Sequence, residues 1–122
     1  MDIHLRSIGL IHTPFSEPAN TPIQSARSQA SGWIEIFPDY AAGQQDIEAF
    51  SHICLVYLLH GTSEIQFSVE PFLDNQKHGI FSTRHPFRPN HIGLSGHENC
   101  LNISGVDMFD QTSLLYIKPA VL

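Results

Sequence analysis

The stretch HGIFSTRHPFRPNHIGLSG, His78 to Gly96, gathers two arginines and three histidines with no carboxylate among them. Arg84 and Arg88 flank Pro86, and Pro89 follows, so both guanidinium groups sit on backbone of reduced freedom. A planar guanidinium makes paired hydrogen bonds to carboxylate or phosphate, which makes the segment a candidate anion site. Ion pairing with acidic surface loops would use the same two residues, and composition alone weighs the alternatives evenly. Gly93 and Gly96, around Leu94 and Ser95, permit either a β-turn or a close backbone approach to a ligand, and spacing alone favours the turn.

The charge balance sharpens the contrast. The formal net charge is −6, from 12 acidic and 6 basic residues, and Lys77, Arg84 and Arg88 supply half of the positive charge. The rest of the chain therefore stands at −9, three basic against twelve acidic residues. Such an excess opposes non-specific nucleic-acid binding, whereas a local basic island focuses a small anion.

Other chemistries receive less support. Eight histidines are present, with His78, His85 and His91 near the glycine-rich stretch and His52 and His60 at equal strand parity, but no HExxH occurs. Hydrogen bonding rather than metal ligation is the expected role, and no metal site is expected. Cys54 lies in an apolar run and Cys100 in a polar one, without CxxC, which fits two reduced thiols. Neither GxGxxG nor GxxxxGK is present, so ordinary dinucleotide and P-loop sites are not supported. Asp107 and Asp110 frame a turn followed by Gln111, Thr112 and Ser113, residue types that a tight turn uses in any case.

The elements that must hold these groups are short. A chain of 122 residues, 42% hydrophobic and 15% charged, fits one globular domain over residues 1–122. The longest apolar run, Ile53 to Leu59, is far below the roughly 20 residues of a membrane helix. With no signal-peptide pattern at the N-terminus, a cytoplasmic protein is expected. Ile3 to Ile11 reads as a strand with a slip near Ser7, and His12 to Ser31, with three prolines, as a long loop. Trp33 to Phe37 predicts a strand ended by Pro38, and Asp46 to Phe50 a short helix capped by Asp46. His52 to Leu59 predicts a central strand buried on both faces, and Ile65, Phe67 and Val69 a half-buried strand closed by Pro71. Ile80 to Thr83, Leu101 to Ser104, Val106 to Met108 and Leu114 to Ile117 complete the set. The fold class is all-β: a small antiparallel β-barrel with one short helix and long loops, preferred over a sandwich because closure removes edges.

Taken in order, IGLIHTPF from Ile8, PIQ at Pro22 to Gln24, GWIEIFPDYAAGQQDIEAFSHI from Gly32, HGIFSTRHPFRPNHIGLS from His78 and GVDMFDQTSLLYIKP from Gly105 span most of the chain. Together they resemble the TsaA-like (YaeB, TrmO) family of S-adenosylmethionine-dependent tRNA methyltransferases. The resemblance implies a small dimerising β-barrel that holds S-adenosylmethionine and methylates N6 of a threonylcarbamoylated adenosine beside the tRNA anticodon. Matched position by position, it assigns cofactor contacts to Pro22, Ile23, Gln24, His60, Gly61, Arg84, Leu94, Asp110, Gln111, Thr112 and Ser113. Asp107 and Tyr57 are the candidates for a general base. The chain differs from the family pattern at His91, at Gln111 to Ser113 and at Tyr116. Between Ser95 and Leu101 only GHENC intervenes, where the family has a longer strand and turn. A barrel shortened there would keep the cofactor pocket and lose the RNA-binding surface, and the alternatives within the same resemblance are a non-catalytic S-adenosylmethionine-binding dimer and a methyltransferase of small molecules.

Overall fold

The computed structural model describes residues 1–15, 30–71, 75–99 and 103–120. Its strands are β1 (Gly9–His12), β2 (Ser31–Ile36), β3 (His52–Leu58), β4 (Ser68–Val69), β5 (His78–Gly79), β6 (Ile92–Glu98), β7 (Ile103–Ser104) and β8 (Thr112–Pro119). Six of them form one antiparallel sheet in the order β6-β3-β8-β1-β2-β7, and β4 and β5 form a separate pair.

The local reasons are legible in most strands. In β2 the alternation of SGWIEI turns Ile34 and Ile36 inward and leaves Ser31, Trp33 and Glu35 exposed, until Pro38 opens a 3-10 turn over Pro38–Gln44. β3 lies between β6 and β8, as its apolar composition requires. Only one parity is fully buried, however: Ile53, Leu55 and Tyr57 face the core, while Cys54 and Val56 are half-buried and Leu58 is exposed. Cys54 is a free thiol.

β8 solves a parity problem with a bulge. The register passes from Val56↔Tyr116 to Tyr57↔Leu114, leaving Leu115 without a partner on β3. Thr112 and Leu114 point inward before the bulge, and Ile117 packs on the core after it, although their spacing is odd. The core is Ile11, Ile53, Leu55, Tyr57, Ile103, Val106, Met108 and Leu114.

The sheet's two edge strands, β6 and β7, meet through side chains. The buried His97 of β6 hydrogen-bonds the Ser104 carbonyl of β7 through Nδ1 at 2.9 Å, and Nε2 lies 2.7 Å from Ser95 Oγ. Among the described residues no backbone ladder joins these edges, so the six strands form a sheet whose edges approach through side chains, and the closed barrel expected from the sequence is not established.

Several expected elements take another form. Ile3 and Leu5 are exposed and outside any strand, and β1 begins only at Gly9. The helix expected at Asp46 to Phe50 is a 3-10 turn, Ile47–Ala49, with Asp46 in the left-handed region (φ 71°) and making no side-chain cap. Ile65 and Phe67 are 50% and 75% exposed, so their alternation marks no buried face, and β4 covers only Ser68–Val69. Ile80–Ser82 is a 3-10 turn of which only Ile80 is buried, and Val106 to Met108 is irregular with Val106 and Met108 buried, neither joining a strand. The largest change is at Gly93 and Gly96, expected in a turn but lying inside the seven-residue strand β6, paired along its length with β3. GHENC therefore carries the end of a strand to Glu98 rather than replacing one.

Candidate functional site

The C-terminal ends of β1 and β3 and the N-terminal ends of β6 and β8 lie at one end of the sheet, because antiparallel pairing sets Ile11 beside Thr112 and Leu58 beside Ile92. The loops that leave those ends carry most of the polar candidates. His60 and Gly61 follow β3, Leu94 lies on β6, and Asp110, Gln111, Thr112 and Ser113 make the turn into β8. Pro22, Ile23 and Gln24 lie outside the described residues.

The turn into β8 is tied to the rest of the site by specific bonds. Thr112 Oγ1 donates to the Phe109 carbonyl at 2.7 Å and lies 3.3 Å from His60 Nδ1. The His60 ring meets Phe109 edge-on at 5.3 Å between centroids. Gly61 takes φ +97°, and a Cβ there would lie 2.9 Å from Phe109 Cε2, so both conformation and space call for glycine. Asp110 Oδ1 accepts from the Thr13 amide at 2.9 Å, and the Asp110 amide donates to the Phe15 carbonyl at 2.6 Å. The left-handed turn at Gln111 (φ 62°) completes the change of direction.

The two arginines divide their tasks. Arg88 Nη1 donates to the Thr83 carbonyl at 2.7 Å and braces its own loop. Arg84 is exposed and donates from Nη2 to the Leu94 carbonyl at 3.2 Å, which places a positive group beside the outward-facing, 58% exposed Leu94. His85 packs on Phe87, and its ring is pushed below the usual 6.5 by desolvation, with Glu64 acting in the opposite direction. His91 holds the Glu64 carbonyl through Nε2 at 2.8 Å. Among the described residues, no three His, Cys, Asp or Glu side chains are grouped to hold a metal ion.

Beneath these loops runs a buried polar chain that sequence reading had not assembled. Burial pushes the Tyr57 phenol above its usual 10.0; a hydrogen bond with Ser95 lowers it, the Asp107 charge raises it, and Arg84 lowers it. The Tyr57 phenol thus lies beside Ser95 and within electrostatic reach of Asp107 and Arg84. The Ser104 carbonyl can only accept, so His97 Nδ1 carries a proton, and in that tautomer Nε2 accepts from the Ser95 hydroxyl. Ser95 and His97 are separated by one residue on a strand, and that inward parity was the available signal, hidden by the glycines on either side of Ser95.

An antiparallel sheet with a polar, arginine-bearing rim at one end places this small β protein in a class apart from the doubly wound nucleotide-binding folds. The chain belongs to the tRNA-methyltransferase O N-terminal domain family, whose pattern it matches over residues 10–122. It is 47% identical to a probable S-adenosyl-L-methionine-binding protein of Pyrococcus abyssi, over 95% of this chain and 67% of that one. It is 32% identical to the tRNA (adenine(37)-N6)-methyltransferase of Escherichia coli, over 92% of this chain and 55% of the relative. A crystal structure of TrmO superposes with a TM-score of 0.78 at 32% identity, covering 99% of this chain and 58% of that one. The chain thus spans little more than half of the Escherichia coli methyltransferase and of the TrmO crystal structure, and 30% of the methyltransferase of Rattus norvegicus. Among the described residues, no helix is long and apolar enough to cross a membrane.

Proposed function

We propose that this protein binds S-adenosyl-L-methionine and transfers its methyl group to N6 of a threonylcarbamoylated adenosine beside a tRNA anticodon, as a cytoplasmic homodimer of single β-barrel domains. The observation that carries the reading is the convergence of His60, Gly61, Arg84, Leu94 and Asp110 to Ser113 at one end of the sheet. These residues fit the cofactor chemically. Arg84 offers a cation for a carboxylate tail, Leu94 an exposed apolar surface, Asp110 a fixed acceptor for hydroxyl or amine groups, and the glycine at 61 room for close approach. Pro22, Ile23 and Gln24 belong to the same proposed set.

When bound, the cofactor supplies an electrophilic methyl group on a sulfonium. The protein's part is chiefly to align the acceptor nitrogen and exclude competing water, since in-line positioning supplies much of the rate. Tyr57 keeps its proton, because burial and the nearby Asp107 charge disfavour the phenolate. Of the two base candidates, Asp107 is therefore the one to receive the proton released from N6, with Tyr57 positioning it.

Calorimetry with S-adenosyl-L-methionine tests the site: Arg84→Ala should weaken binding about tenfold or more, as for a hydrogen bond to a charged group, and undiminished affinity would remove Arg84 from it. Mass spectrometry of nucleosides from tRNA incubated with protein and cofactor tests the reaction. The Pyrococcus abyssi relative is a probable S-adenosyl-L-methionine-binding protein. Cofactor binding without any added methyl on tRNA would therefore leave a non-catalytic binding dimer or a small-molecule methyltransferase.

A further inference from the structure

Trp33 is an anomaly on the outer face of β2. Its neighbours on that face, Ser31 and Glu35, are polar, yet Trp33 is 50% exposed, and it is the single tryptophan of the chain. It lies directly opposite His12 of β1, and the two rings stack at 4.0 Å between centroids with planes 15° apart. Gly32 makes the approach possible: a Cβ there would fall 2.5 Å from the His12 carbonyl oxygen. The imidazole is held from both sides, with Nε2 bonded to Glu35 Oε1 at 2.8 Å and Nδ1 facing Asp110 Oδ1 at 3.6 Å. His12 thus serves as a fixed backing for one face of the indole, and the other face and edge account for the exposure.

The pair borders a cleft of about 350 Å³ lined by His12, Thr13, Pro14, Ser31, Trp33 and Asp110. Asp110 is itself a proposed cofactor contact and opens the turn that carries Gln111, Thr112 and Ser113, so this cleft adjoins that site. A rigid indole gives a flat ring a stacking surface, and a carboxylate fixed by the Thr13 amide gives an exocyclic N–H its acceptor.

We propose that the Trp33–His12 stack is a platform for a purine base bearing an exocyclic N–H, read by Asp110. The proposal rests on the methyltransferase reading and extends its site by two residues, His12 and Trp33. Two purines are available to it, a base of the tRNA anticodon loop and the adenine of the cofactor.

Because Trp33 is the single tryptophan, its fluorescence reports this platform directly. The probes are S-adenosylhomocysteine and a tRNA anticodon stem-loop, titrated separately and together against wild-type protein, Trp33→Ala and Trp33→Phe, with circular dichroism to establish folding. Stem-loop quenching beyond that of saturating cofactor, with a Kd for RNA raised about tenfold in Trp33→Ala and less in Trp33→Phe, supports a platform for the RNA base. Quenching by S-adenosylhomocysteine alone, with the tenfold loss falling on that ligand, supports a platform occupied by the cofactor's adenine. Absence of quenching by either, with unchanged Kd values in Trp33→Ala while calorimetry still registers cofactor binding, overturns the platform and leaves the methyltransferase reading intact. Wild-type protein that binds no cofactor in calorimetry defeats that reading and the platform with it.

Discussion

Where β6 crosses Tyr57, a Cβ added at Gly93 would lie 2.4 Å from the ring's Cε2, 2.9 Å from Cζ and 3.0 Å from Cδ2. Ordinary carbon contacts are at about 3.5–4.0 Å, so Gly93→Ala obliges ring or strand to retreat by roughly 1 Å. Tyr57 is only 3% exposed and is paired to Gly93 on one side and Leu114 on the other, which leaves little room for that movement. Overpacking of this kind costs about 1–3 kcal/mol, and loss of the bond to Ser95 adds about 1 kcal/mol. The expected total of about 2–4 kcal/mol corresponds to a fall in Tm of roughly 8–16 °C for a domain of this size. Urea and thermal unfolding followed by circular dichroism measure it, with Gly43→Ala, which meets nothing within 4 Å, as the control. Truncation of the ring in Tyr57→Leu should absorb the added methyl, so the double variant should be more stable than the summed single effects by about 1 kcal/mol or more. A Gly93→Ala protein within about 0.5 kcal/mol of wild type, or strict additivity with Tyr57→Leu, would refute the packing argument.

Other expectations follow from the same geometry. His97→Ala strands the Ser95 hydroxyl and the Ser104 carbonyl and opens a cavity at the sheet's meeting edges; a loss of about 2–4 kcal/mol in urea unfolding is expected. Gly61→Ala, forced into φ +97° against Phe109, should cost about 1–2 kcal/mol and weaken S-adenosylmethionine binding, both measurable on one sample by calorimetry and thermal melting. The raised Tyr57 phenol means that the native state keeps a proton the unfolded chain loses near 10.0. Stability should therefore hold below about pH 10 and decline as pH rises toward the raised value, with a shallower decline in Tyr57→Phe. The lowered His85 acts at the other end: stability present above 6.5 should diminish as pH falls through that value, and His85→Phe should reduce the dependence.

How much of this was legible depends on the distance over which each residue is read. The β2 pattern GWIEI and the apolar run of β3 declare themselves locally, and both strands form where the pattern sets them. β6 does not, because the reason for Gly93 is the ring of Tyr57 across the ladder, a partner invisible in the local sequence. Ile65 and Phe67 show the opposite failure, an ideal alternation with no partner sheet to bury it. At the site, residue types and family likeness named Arg84, His60 and Asp110, but the pairing of His12 with Trp33 and the chain from Tyr57 through Ser95 to His97 exist only in the register of the strands.

The bulge at Leu115 gives β8 two independent reading frames. Its first three residues present Thr112 to the rim, and its later residues present Ile117 to the core, with a single unpaired residue to reconcile them. Deletion of Leu115 would bring Leu114, opposite Tyr57, directly beside Tyr116, opposite Val56, so the ladder would run on regularly with Thr112 and Ile117 still on the core side. What the extra residue supplies is therefore a local bend and added twist between the two halves of the strand, not a choice of face. The bulge sets the angle at which the Thr112 end of β8 leaves the core, and the deletion variant should keep its core while the rim around His60 is re-aimed.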